Sequence, residues 1–105
     1  MEHQPIRLPI QLIDELLKYE LISNEAVVYD GLEEAIIGTC SRPNFPGNVL
    51  LIDRSLAIAI FKRNNDWTDE EAIEWMEFNV ESLWAGDYTP VICDIFKQTI
   101  VQSVN

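Results

Sequence analysis

The chain has 105 residues and a mass of 12.1 kDa, enough for one domain and too little for two, with 18 acidic residues against 7 basic ones and a formal net charge of -11. An apolar content of 48% argues against intrinsic disorder, and so acidic a surface repels phosphate, which argues against a nucleic-acid binder of the basic kind. No window holds the roughly 20 apolar residues of a membrane helix, nor does Met1 to Pro9 have the pattern of a secretory leader, so a cytoplasmic location is expected.

Residues 1–8 are expected to be a flexible lead-in to a single α+β domain over 9–105. Leu12, Ile13, Leu16, Leu17 and Leu21 then recur at helical spacing and predict a helix over 9–21, with Pro9 in its first turn. Ala35 to Cys40 is β-branched enough for a strand, and Ala26 to Tyr29 less clearly so. The turn formers of 41–48, among them Pro43, Asn44, Pro46 and Gly47, predict a loop to a second strand from Val49, an antiparallel hairpin. Residues 55–63 alternate as a strand would. They also suit a helix capped by Ser55 with Lys62 and Arg63 in its last turn, and the helix is preferred.

Thr68-Asp69-Glu70-Glu71 has the form of a capping box. A helix over 69–84 follows, with Ala72, Ile73, Met76, Val80, Leu83 and Trp84 on one face and Gly86 as its left-handed terminator. Tyr88 to Asp94, with Pro90 near its start, reads as a third strand, centred on 89–94, and the tail from Ile95 could form a short strand or a last helical turn. The expected fold is therefore a small antiparallel sheet of about three strands packed against two to three helices.

The charge is unevenly placed. From Asn64 to Phe96 there are nine acidic residues and no lysine or arginine. Glu70, Glu74, Glu77 and Glu81 project into a strip about 60° wide on the 69–84 helix, and like charges four residues apart cost a helix a few tenths of a kcal/mol per pair. Such a strip either keeps the chain soluble or docks electrostatically on a basic partner, with imitation of a nucleic-acid backbone as the sharpest form. Trp75 and Phe78 flank it. They are either packed beneath the N-terminal helix or exposed as the apolar half of an interface. Trp67 is expected to staple against Ala72 or a neighbour, and Asn79 to be a buried amide bonded to loop backbone.

Catalytic chemistry has little footing. His3 is the only histidine, and the four glycines lie too far apart for a phosphate loop. Cys40 and Cys93, with no Cys-x-x-Cys spacing, read as free buried thiols. Asn64, Asn65, Asp66 and Asp69 lack the glycine and spacing of a calcium loop. No catalytic residue, cofactor or metal site is assigned. The expected partner-binding residues are Asp69, Glu70, Glu74, Trp75, Glu77, Phe78 and Glu81, facing a basic protein surface and neither nucleic acid nor membrane. The alternatives are a self-assembling homodimer and, behind it, a small carboxylate enzyme or metal binder.

Tyr29-Asp30, Glu34-Ala35-Ile36-Ile37-Gly38, Glu70-Glu71-Ala72-Ile73-Glu74 with Phe78-Asn79, and Gly86 with Thr89-Pro90-Val91 together form a pattern over residues 26–94. It resembles a group of small, functionally uncharacterised proteins of bacteria and their phages, from which the loop 41–48 departs. The resemblance implies a compact α+β unit of phage or mobile-element origin. Small acidic phage proteins often act by binding a host protein, sometimes a defence nuclease.

Overall fold

The computed structural model describes residues 9–96. In chain order these form α1 (Pro9–Lys18), a 3-10 turn (Glu33–Ala35), β1 (Ile36–Cys40), β2 (Val49–Asp53), α2 (Arg54–Asn65), α3 (Asp69–Met76), a π turn (Glu77–Glu81) and β3 (Val91–Cys93). The expected lead-in over 1–8 and most of the expected tail lie outside the described residues. Ile95 and Phe96, at the start of that tail, belong to no helix or strand.

The fold is α+β, with a three-stranded sheet in the order β1-β2-β3. The hairpin expected across 41–48 is present: β1 pairs antiparallel with β2, Cys40 opposite Val49 and Ile36 opposite Ile52, with a register shift between Ile36 and Gly38. β3, however, runs parallel to β2, with Leu51 opposite Val91 and Asp53 opposite Cys93. The sheet is mixed rather than antiparallel. The reason lies between the strands. A parallel neighbour needs a crossover of a dozen residues or more, and α2, α3 and the segment 82–90 supply it. Ala26 to Tyr29 forms no strand, although the Val27 amide donates to the Tyr88 carbonyl at 3.1 Å.

Ile36, Ile52 and Ile92 stand in one row across the three strands. Against that row pack Ala57 and Ile60 of α2, Met76 of α3, Val80 of the π turn, and Leu32 and Ala35 from the segment before β1. Burying a side chain of the size of Ile52 or Met76 is worth about 1.5–3 kcal/mol each, so this row and its helical cover are the main source of cohesion.

Several helix ends differ from their expected places, each for a local reason. α1 stops at Lys18 although Leu21 keeps the apolar period. Glu20 takes a left-handed conformation (φ 56°), and the amides of Glu20 and Leu21 donate back to the carbonyls of Leu17 and Leu16 at 3.1 and 2.8 Å. That is the closing geometry of a Schellman motif, with Leu21 at its apolar position beyond the helix. α2 is the preferred helix, but its cap is Asp53, not Ser55: the Asp53 carboxylate accepts from the amides of Ser55 and Leu56 at 2.9 and 3.3 Å. One residue thus ends the central strand and starts the helix. α2 closes on Asp66, left-handed at φ 55°, with Lys62 and Arg63 in the last turn where the dipole favours cations.

The capping box of α3 is present in both directions. Thr68 Oγ1 accepts from the Glu71 amide at 3.2 Å, and Glu71 Oε1 accepts from the Thr68 amide at 3.0 Å. The helix does not continue to residue 84. After Met76 it widens into the π turn, and Ser82 leaves it. Side chains meet carbonyls four residues back along this stretch: Asn79 Nδ2 donates to the Trp75 oxygen at 3.3 Å and Ser82 Oγ to the Phe78 oxygen at 2.7 Å. Met76 and Val80 stay in the core, whereas Leu83 and Trp84, expected beside them, are 47% and 66% exposed. Gly86 has the expected positive φ (99°), but in a turn several residues past the helix.

Candidate functional site

α3 and the π turn carry the acidic residues, and the change of helical pitch divides them. Glu70 and Glu74 stand one α-turn apart on α3, exposed, with no cation partner among the described residues. Glu77 and Glu81, on the wider turn, meet Arg54 at the start of α2. Arg54 Nε lies 2.7 Å from Glu81 Oε1, and Arg54 Nη2 lies 3.9 Å from Glu77 Oε2. The hydrogen bond to Glu81 holds the guanidinium's pKa above its already high ordinary value. Asp69 pairs with Lys62 at 2.5 Å. The strip that looks unpartnered along 64–96 is therefore partly neutralised by α2, across 27 residues in the case of Arg54 and Glu81.

The aromatic residues resolve the other way. Trp75 is 45% exposed and Phe78 72%, so neither is packed beneath the N-terminal helix. Trp67 leans on Trp75, with ring centroids 5.4 Å apart and planes tilted by 49°. Trp67, Glu71, Glu74, Trp75, Phe78 and Asn79 line an open depression of about 500 Å³. Asn79 is exposed, and its amide bonds its own helix rather than a loop. The capping box sets the phase of this surface: it starts α3 at Asp69, with Trp67 just before it, so that Glu71, Glu74 and Trp75 come up on the same side.

A second depression, of about 310 Å³ and more apolar, lies across Trp75 and Asn79, lined also by Tyr29, Leu32, Phe61 and Leu83. Burial raises the Tyr29 phenol above its ordinary pKa. Trp75 is thus a ridge between an acidic hollow and an apolar one. Of the expected site residues, Glu70, Glu74, Trp75 and Phe78 remain together as a free surface, while Asp69, Glu77 and Glu81 are tied to α2. Trp67, Glu71 and Asn79 join the site. Trp67 was signalled by its place next to the cap, but nothing local signals the exposure of Asn79.

Cys40 and Cys93 are free and half-buried, on β1 and β3. Burial raises both thiol pKa values, for Cys40 against the opposing pull of Arg42. Among the described residues no three His, Cys, Asp or Glu side chains gather as a metal site would require, and no helix is long and apolar enough to cross a membrane. The architecture is that of a small α+β domain presenting one aromatic and acidic helix face. Comparison with known protein families, curated proteins and solved structures gives no match.

Proposed function

We propose that the chain is a non-enzymatic interaction module whose α3 face docks on a basic protein surface. One observation carries the reading: Trp75 and Phe78 are 45% and 72% exposed beside Glu70 and Glu74, which lack a cation partner among the described residues. Exposed aromatic side chains are costly to leave in water and are enriched at interface centres. Carboxylates at the rim speed encounter and reject acidic partners. The loss of Asp69, Glu77 and Glu81 to ion pairs leaves too sparse a set of charges to imitate a phosphate ladder, so docking through aromatic contact with two carboxylates beside it is the better match. The resemblance of residues 26–94 to small bacterial and phage proteins supports a sharper form, an inhibitor of a host defence protein or a nucleic-acid-binding protein.

The test uses a fluorescent lysine-rich peptide and anisotropy. Binding should weaken steeply between 50 and 300 mM salt, since the Debye length falls over this range from above about 10 Å to well below it. It should be lost in Glu70→Lys/Glu74→Lys. Salt-independent binding, or an unaffected double variant, would overturn the docking reading. The self-assembly alternative rests on Leu17, Tyr19 and Leu21, exposed at the end of α1. Light scattering that shows a monomer at all concentrations would remove it.

A further inference from the structure

The depression on α3 offers a cation two different attractions. Trp67, Trp75 and Phe78 line it, and aromatic rings attract a cation to their faces through the negative side of the quadrupole. Glu74 stands among them without a cation partner among the described residues, whereas Glu71 already spends one oxygen on the Thr68 amide. The kind of cation follows from the geometry. The two indoles are 5.4 Å apart between centroids, which leaves no room for a guest between them, so they cannot enclose a quaternary ammonium as a cage does. A quaternary ammonium would also bring no N–H for Glu74. A lysine ammonium could bond Glu74 but has no plane to lay on a ring. A guanidinium has both: a flat face that stacks on an indole, and a fork of N–H donors matched to a carboxylate.

We propose that this depression seats an arginine side chain of the partner, its guanidinium stacked on the Trp75 ring and forked onto Glu74. The chain already uses similar chemistry internally. The guanidinium of Arg42 lies 4.5 Å from the Phe45 ring centre and 5.9 Å from that of Tyr88. The inference rests on the docking reading and names the residue that the partner contributes.

The three indole N–H signals of the full-length chain provide the test, because Trp84 lines neither depression beside Trp75 and serves as an internal reference. Three matched peptides, each carrying three arginines, three lysines or three citrullines, are titrated in turn. The arginine peptide should move the Trp67 and Trp75 signals, leave Trp84 in place and bind about fivefold more tightly than the lysine peptide. The citrulline peptide should not bind. Trp75→Leu should weaken arginine binding by about threefold, the worth of an exposed cation–π contact. Glu74→Gln, at an exposed site whose side chain has no ion-pair partner among the described residues, should weaken it by a similar factor. Equal arginine and lysine binding, unchanged in Trp75→Leu and Glu74→Gln but lost in Glu70→Lys/Glu74→Lys, would overturn the arginine seat and leave charge-driven docking standing. Binding of neither basic peptide would overturn both, and citrulline binding as tight as arginine would overturn the role of charge.

Discussion

Met76→Ala and Leu83→Ala, compared in one experiment, test whether the helix after Thr68 changes pitch as described. On a continuous α-helix residues 76, 80, 83 and 84 share the core-facing stripe, and truncating either Met76 or Leu83 would open a cavity. In the structure Met76 is fully buried against Ile52, Ala57 and Ile60, while Leu83 lies beyond the π turn and is 47% exposed. Met76→Ala removes buried atoms from a close-packed site, which costs about 2–5 kcal/mol. At about 4–8 °C of Tm per kcal/mol for a domain of this size, the melting temperature should fall by about 8–40 °C. Leu83→Ala should cost less than about 1 kcal/mol, because half of its surface is already in water. Urea and thermal unfolding followed by far-ultraviolet circular dichroism measure both. A Leu83→Ala loss equal to that of Met76→Ala would return residue 83 to the core stripe and refute the pitch change, and with it the division of the acidic strip.

Three further outcomes are expected. Gly47 has φ 82° and sits where an added Cβ would come within 2.9 Å of Ser23 Cβ, so Gly47→Ala should destabilise by about 1–2 kcal/mol in urea unfolding; an unchanged midpoint would contradict that close approach. Thr68→Ala removes one arm of the capping box and should cost about 1 kcal/mol, with faster amide exchange in the first turn of α3 as the local readout. Both thiols have pKa values raised chiefly by burial, so alkylation by iodoacetamide at pH 8 should be slower in the folded chain than in urea. The sign for stability follows. The fold favours the protonated thiols, so their contribution is intact below the ordinary thiol pKa and is lost as pH rises through the raised values.

Elements specified by neighbouring residues were legible in the sequence. The capping box needs only Thr68 and Glu71, the β1–β2 hairpin only two β-branched runs around a proline-rich loop, and α2 only its composition and terminal cations. What sequence periodicity missed depends on distant partners or on backbone geometry. The direction of β3 is set by how 54–90 crosses over, which Val91 to Cys93 do not encode. A π turn leaves little trace in hydrophobic spacing, so a projection at 100° per residue carried Leu83 and Trp84 into the core. Ser55 is the cap that composition suggests for α2, yet Asp53, at the end of β2, supplies it. The ion pairs from Arg54 to Glu77 and Glu81 join segments far apart in the chain, and so the strip looked more uniformly charged than it is. The candidate site was legible in its residue types and its helix. Its limits, a patch of Trp67, Glu70, Glu71, Glu74, Trp75, Phe78 and Asn79, needed the three-dimensional arrangement.

The proposed docking places a basic partner on one face of α3. Mapping backbone amide shifts of the labelled chain as a lysine- and arginine-rich peptide is added tests it most directly. The largest shifts should fall within residues 67–79 and fade as salt is raised. Shifts spread evenly over all acidic positions, or centred on the end of α1 or on the sheet, would contradict it.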